Sequence, residues 1–314
     1  MHTLDRILVA TSFSDRSADA VRKAAVLAAE RHASLTLLHV VEPVKNRRVR
    51  GLVTQEMLLA ARVNDAKREL AKLGGEIAAR QGVPVELCVE VGDKFRAILA
   101  ACKEADVLFV GGTAGRSVAP FSRPAAERLL EHCDIPILLV NGPQCLHYAR
   151  ALVVVRDAAG GVGALKAAGS LWPAAEKVVF YAVNARKQAP MQGPAASTSA
   201  DSVQSSRSAH AVGYLRGLVR RAGLRVHDVS CRFRFGDACK AALAMQSEVH
   251  ADVMVLTRRR SPSIAGFVLG KSASRLLATA PCDVLITAVT AAQPERPVQP
   301  RRRWRPERSA EPAA

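Results

Sequence analysis

Ala105-Asp106-Val107-Leu108-Phe109-Val110 recurs at 251–256 as Ala251-Asp252-Val253-Met254-Val255-Leu256. An internal repeat is weighed first because it decides the whole architecture. Three more landmarks recur in the same order: Ile7-Leu8-Val9-Ala10 as Leu152-Val153-Val154-Val155, Val91-Gly92-Asp93 as Phe235-Gly236-Asp237, and Cys133-Asp134 as Cys282-Asp283, each of the last pair before an apolar run. The offsets run from 144 to 149 residues. The 314 residues therefore divide into two copies of one domain, 1–145 and 146–290, and a tail, 291–314.

Each copy alternates strand and helix. In the first, Arg6–Ala10 is a continuous apolar run, as a parallel strand buried on both faces should be. Ser14 is placed to cap a helix whose apolar face is Ala18, Val21, Ala25 and Ala28. Strands follow at 35–41, 85–91, 107–110 and 135–140, with helices at 54–80, 94–102 and 125–132 between them. The second copy reads as strands at 151–155, 177–183, 225–233, 252–256 and 284–289, with helices at 162–170, 208–222, 237–249 and 270–279. Such alternation implies right-handed crossovers and an α/β fold, each copy a five-stranded parallel sheet with helices on both faces. Ala185–Arg207, rich in Ala, Ser, Pro and Gln, reads as a mobile loop, and Arg47–Gly51 as its smaller counterpart. The Pro- and Arg-rich tail has no periodicity and reads as disordered.

Composition narrows the function. An apolar content of 49% excludes a disordered chain. No apolar run approaches the roughly 20 residues of a membrane span, and Met1-His2-Thr3-Leu4-Asp5-Arg6 does not read as a signal peptide, so no membrane partner and a cytoplasmic location are expected. The net charge is +17, with basic clusters at Arg47-Arg48-Val49-Arg50, Arg220-Arg221, Arg258-Arg259-Arg260 and Arg301-Arg302-Arg303. The tail holds six Arg and three Glu, so +14 remains on the tandem body. That excess favours anionic partners, whereas 4% aromatic residues argue against a single-strand surface built on base stacking. The seven cysteines, odd in number and without C-x-x-C, read as reduced thiols, with Cys133 and Cys282 as small core residues. His132, Cys133, Cys145 and His147 do not read as a metal site, because the strand between the two pairs holds them on the order of 20 Å apart. His39, ending a strand, reads as a packed, hydrogen-bonded histidine. No nucleophile elbow, P-loop or H-E-x-x-H is present, so no catalytic residue and no enzyme activity are expected.

In an open parallel sheet, ligands sit at the carboxyl ends of strands where strand order reverses, and helix N-termini there attract phosphate. The first copy has Gly111-Gly112-Thr113-Ala114-Gly115-Arg116 in that place, where glycines let backbone approach a phosphate.

Ile7-Leu8-Val9-Ala10-Thr11-Ser12-Phe13-Ser14, Leu37-Leu38-His39-Val40-Val41-Glu42-Pro43, Val91-Gly92-Asp93, the run from Ala105 through Arg116, and Ala126-Glu127-Arg128-Leu129-Leu130 resemble the universal stress protein family. The likeness spans about 4–142 and, more weakly, about 150–290. It implies an adenine-nucleotide-hydrolase-like, Rossmann-like fold, dimerising through the last strand, with the two halves forming that dimer internally. Members that bind ATP carry G-x2-G-x9-G-[ST] after strand four and an Asp after strand one. Carried over, nucleotide contacts fall on Ser12, Val40, Gly111, Gly112, Gly115, Arg116 and Ser122. The sequence departs from the pattern. Ser12 replaces the Asp, and Ala125-Ala126 stand where Gly and a hydroxyl residue belong. The second copy reads Thr257-x2-Arg260-x9-Gly270-Lys271, with Arg156 at the Asp position. There Arg258, Arg259, Arg260, Gly270, Lys271 and Ser272 form either an anion-binding group or a solvated basic loop.

The resemblance implies a role in surviving stress. The expectation is a non-enzymatic binding or adaptor protein with degenerate nucleotide sites. The alternatives are an ATP-binding switch with weak hydrolysis in the first domain, and a nucleic-acid- or polyanion-associated protein. A protein partner and a homodimer stay open. No cofactor is assigned beyond a weakly held adenine nucleotide such as ATP in the first domain.

Overall fold

A computed structural model describes residues 4–43, 54–112, 123–142, 145–183, 200–260, 267–268 and 270–289. Two compact units follow one another in sequence, with the boundary at Asn141.

The N-terminal unit runs β1 (Arg6–Thr11), α1 (Asp15–Arg31), β2 (Ser34–Val41), α2 (Gln55–Gln81), β3 (Val85–Val91), α3 (Lys94–Cys102), β4 (Val107–Gly111), α4 (Arg123–His132) and β5 (Ile137–Val140). Its sheet has the order β3-β2-β1-β4-β5, every pairing parallel, so strand order reverses between β1 and β4. Polar caps set the helix starts. Ser14, Thr54 and Asp93 accept the backbone N–H groups of Ser17, Met57 and Arg96, each three residues on. His32 and Gly82 end α1 and α2 in left-handed backbone. β1 and β4 are almost wholly buried, from Ile7 to Ala10 and from Val107 to Val110.

The C-terminal unit repeats the plan: β6 (Arg150–Val155), α5 (Ala158–Leu171), β7 (Glu176–Val183), α6 (Ala200–Arg221), β8 (Val229–Phe235), α7 (Ala238–Val249), β9 (Val253–Arg260), β10 (Phe267–Val268), α8 (Lys271–Thr279) and β11 (Asp283–Val289). The order is β11-β9-β6-β7-β8 with parallel pairings, and the reversal lies between β6 and β9. β10 pairs antiparallel with the end of β9.

Both units begin with the same clasp. The Asp106 carboxylate accepts the backbone N–H groups of Asp5 and Arg6 at 2.8 and 2.9 Å, and the Asp106 N–H donates to the Arg6 carbonyl. Asp252 does the same with Ala149 and Arg150, at 2.8 Å each. The repeated Ala-Asp-Val run is thus a device that docks the central strand pair of each unit.

Three expectations need correcting. The strand expected at 225–233 begins only at Val229, after a 3-10 turn over Val226–Asp228 whose Asp228 N–H donates to the Arg225 carbonyl. α6 begins at Ala200, so the last eight residues of the segment read as a loop are helical, there being no Gly or Pro among them to stop a helix. The fourth strand of the second copy, expected to stop at 256, continues to Arg260 and folds back as β10. Arg47–Gly51, most of the 185–207 loop and the tail lie outside the described residues.

Candidate functional site

In the N-terminal unit the crevice at the reversal is framed by the carboxyl ends of β1 and β4 and the start of α1. Ser12 leaves β1, and its hydroxyl lies 3.1 Å from that of Ser14. The Ser12 N–H donates to Ser17 Oγ at 3.3 Å, and the buried Ser17 hydroxyl donates to the Ser14 carbonyl at 2.8 Å. A hydroxyl cluster therefore stands where a carboxylate was expected in ATP-binding relatives. Phe13 is held at a φ of 60°, a left-handed backbone that is costly for an aromatic residue. Its ring is partly exposed and stacks on His39 with centroids 4.4 Å apart. His39 Nδ1 lies 3.0 Å from the Thr11 carbonyl, which can only accept, so Nδ1 carries the proton. Burial pushes the His39 pKa down, against the Thr11 hydrogen bond and with help from the charges of Lys94 and Arg62. The imidazole is thereby kept neutral at pH 7. Val40, next along β2, is buried.

Gly111 closes this crevice from the β4 side. A Cβ there would stand 3.0 Å from the Arg16 carbonyl oxygen and 3.1 Å from its carbon, both in the backbone of α1. Glycine is needed for close approach of the strand end to the helix start. Gly111→Ala is expected to destabilise the unit by about 1–3 kcal/mol, since the backbone cannot rotate aside. Gly75→Ala, in the interior of α2 with nothing near its Cβ position, should instead stabilise by about 0.5–1 kcal/mol. Chemical denaturation of the two variants reads the opposite signs. Gly112 is buried beside Gly111, whereas Gly115, Arg116 and Ser122 lie outside the described residues.

At the matching crevice of the C-terminal unit, Arg156 lies against Gly270 at the start of α8. The clasps and registers equate Val107 with Val253, because Ile7 pairs with Val107 and Ala151 with Val253. Gly111 then corresponds to Thr257, and Gly112 to Arg258, one residue on from the frame that set Thr257 against Gly112. Arg258 is fully buried, with its guanidinium 4.4 Å from the centre of the Phe267 ring on β10. It belongs to the interior and not to a solvated loop. Arg259 is exposed and pairs with Asp157, its Nη2 at 2.5 Å and Nε at 3.1 Å from Oδ2. Asp157 also caps α5 by accepting the Gly160 N–H at 2.8 Å. Against the effect of burial, that hydrogen bond and the charges of Arg259 and Arg156 hold its pKa below the usual carboxylate range.

Gly270 is the N-cap of α8 at a φ of −66°, so glycine serves space there and not left-handed backbone. The space is taken by Arg156, since a Cβ on Gly270 would meet Arg156 Nη1 at 2.6 Å and Nη2 at 2.7 Å. Lys271 is exposed and Ser272 half-buried in the first turn of α8. The backbone of Arg260 pairs with Phe267. Arg156, Arg259 and Gly270 thus come together at one crevice, while Arg258 is withdrawn beneath Phe267. Sequence reasoning did not foresee Phe267 or the Phe13–His39 stack. The residue types alone carry no signal for either.

A sequence model of the universal stress protein family matches residues 3–141 and again 147–288. No curated protein matches the chain significantly in sequence. Among solved structures, a universal stress protein from Archaeoglobus fulgidus DSM 4304 is 15% identical with a TM-score of 0.69, covering 92% of this chain and 100% of that one. A functionally unknown protein from Pseudomonas aeruginosa PAO1 is 17% identical with a TM-score of 0.56, covering 91% of this chain and 92% of that one. At such identities the likeness speaks to the fold.

Proposed function

The chain belongs to the universal stress protein family, with two of its domains in tandem, and from that premise we propose that it is a non-enzymatic binding or adaptor protein of the stress response whose nucleotide sites are degenerate. The observation that carries this reading is the Arg156 guanidinium lying against Gly270 at the start of α8. A phosphate bound there would have to displace it, and with it the Asp157–Arg259 pair beside it. ATP therefore does not fit the C-terminal crevice. The N-terminal crevice keeps Gly111 and Gly112 but offers Ser12 in place of a carboxylate, so it fits an adenine nucleotide only weakly.

A second reading, an ATP-responsive switch in the N-terminal unit, is favoured by the partly exposed Phe13 ring, stacked on His39 beside the crevice. Calorimetric titration of the whole chain with ATP separates the two. The adaptor reading expects no more than one ATP per chain, with a dissociation constant weaker than about 10 μM, roughly −7 kcal/mol. Gly112→Arg, which gives the N-terminal unit the residue that the C-terminal unit has, should remove what binding there is. Sub-micromolar affinity, or two ATP per chain, would overturn the adaptor reading.

A further inference from the structure

Each unit has one strand that is paired on one side only. Among the described residues β3 pairs with β2 alone, and β8 with β7 alone. Such an edge offers a row of backbone N–H and C=O groups to any strand that reaches it. The inner ladder decides which residues make up the row. The Leu35 N–H donates to the Pro84 carbonyl at 2.9 Å and the Gly92 N–H to the Val41 carbonyl at 3.1 Å, so the even-numbered residues of β3 bond toward β2. Val85, Leu87, Val89 and Val91 therefore hold their N–H and C=O groups outward. On β8 the Gly236 N–H donates to the Val183 carbonyl at 3.1 Å. By the same alternation Val229, Cys231, Phe233 and Phe235 point their backbone groups outward.

The side chains of the two edges differ in a matched way. On β3 the odd-numbered side chains lie on the α2 side, where Val85 and Leu87 approach Gly74. Leu87 and Val91 are nonetheless 44% and 47% exposed. The opposite face of β3 carries Glu86, exposed, and Glu90, half-buried. On β8 Arg234 pairs with Glu248 of α7, which puts Arg232 and Arg234 together on the α7 side. Phe233 and Phe235 lie on the α6 side, since Tyr181, in register with Phe233, touches Tyr214 of α6. The two Phe rings pack edge to face with centroids 5.9 Å apart, and neither is fully buried. Each edge is thus apolar on one face and carries a single sign of charge on the other, acidic on β3 and basic on β8. Like charges set against each other oppose pairing of β3 with a second β3, or of β8 with a second β8. The same charges favour β3 against β8.

We propose that β3 of one copy of this chain pairs antiparallel with β8 of a second copy, so that the protein associates edge to edge. The repeat sets the direction. α2 and α6 hold equivalent places in their units, and antiparallel pairing of the two edges leaves both helices on one face of the joined sheet. Parallel pairing would put Leu87 on the side of Arg232. Full overlap of the two seven-residue strands sets Leu87 opposite Phe233 and Glu86 opposite Arg234, with Glu90 diagonal to Arg232. Every outward-bonding residue of one strand then meets an outward-bonding residue of the other. Main-chain bonds supply the affinity, and the matched faces supply the choice of partner. The two surfaces differ, so the contact is heterologous, and it builds an open row or a closed ring of copies. The inference does not depend on the state of the nucleotide crevices.

The test is sedimentation velocity of the whole chain, whose average mass should climb between about 1 and 100 μM protein. Leu87→Pro and Phe233→Pro each remove an outward N–H without breaking a bond to the inner neighbour, and each should weaken association at least roughly tenfold. Mixed one to one, the two variants should associate through a single contact, because each keeps the edge that the other lacks. Glu86→Lys with Glu90→Lys should also weaken association at least roughly tenfold, as should Arg232→Glu with Arg234→Glu. All four charge changes together should restore it, since the signs are exchanged. Thermal unfolding of each variant separates a lost contact from a lost fold, and if a proline variant does not fold, the charge exchange decides alone. The proposal is overturned by a parent whose mass is constant over that range of concentration, by reversal of the β3 charges without loss of association, or by a fourfold variant that associates no better than either twofold one.

Discussion

Asp283→Ala is expected to lower the stability of the C-terminal unit by about 3–5 kcal/mol, the largest single effect foreseen for this chain. Asp283 is only 1% exposed at the start of β11. Its Oδ1 accepts the Asn141 backbone N–H at 2.8 Å and its Oδ2 the Tyr148 hydroxyl at 2.5 Å. Asn141 in turn donates from its side chain to the Cys282 carbonyl at 2.8 Å. The carboxylate thus ties the segment that opens this unit to the foot of its last strand. Alanine would strand a half-buried N–H and a buried hydroxyl at once, and each charge-assisted bond contributes about 1.5–3 kcal/mol. The melting temperature of the unit should fall by about 10–15 °C. Tyr148→Phe removes one partner and leaves the other, so it should cost about 1–2 kcal/mol. If each variant costs less than 1 kcal/mol by denaturant titration, the network has been misjudged. The same site predicts an alkaline signature. Burial, followed by the charge of Asp283, pushes the Tyr148 pKa well above 10. A raised folded-state value means that its contribution is full below pH 10 and is lost as pH rises beyond it, because only the unfolded chain releases the proton there.

How far the sequence could be read depended on whether the signal was local. The repeat and the apolar runs are local, and nearly every strand and helix lies within a few residues of where they put it. Caps are local too: Ser14 caps α1 as its position implied. Thr257-Arg258-Arg259-Arg260 defeats such reading, because three consecutive arginines look like solvated loop. Arg258 enters the core only because Phe267, nine residues further on, folds back to cover it. The crevices divide in the same way. That Ser12 and Arg156 replace an acidic residue is visible in one dimension. That Arg156 lies against Gly270, 114 positions away, is not. Glycine at 270 looked like a surviving phosphate-binding residue, yet its missing side chain makes room for a guanidinium.

Asp106→Ala and Asp252→Ala carry the second large expectation, about 2–4 kcal/mol each in their own units. In both places one carboxylate oxygen receives two backbone N–H groups, while the aspartate's own N–H returns a bond to the first strand, Asp106 to Arg6 at 2.9 Å and Asp252 to Arg150 at 3.0 Å. The clasp is reciprocal, so it holds β1 against β4, and β6 against β9, at a single register. Those are the two strand pairs whose far ends frame the crevices. A slip of one residue would turn every side chain of the strand to the opposite face, and would carry Arg156 away from Gly270 and Ser12 away from Ser14 and Ser17. Asparagine is the informative alternative. It keeps one acceptor oxygen of the same shape and loses the charge, so its cost should be about half that of alanine. Amide exchange offers the sharper readout. The N–H groups of Asp5 and Arg6 should exchange at least tenfold faster in Asp106→Ala, and those of Ala149 and Arg150 in Asp252→Ala, with β3 and β8 little changed. Uniform acceleration across a unit would mean that the aspartate supports global stability and not register. Protection confined to the strand starts would tie the repeated Ala-Asp-Val run to the geometry of the sites, and so explain why it is present in both copies although Arg156 lies against Gly270 in the second.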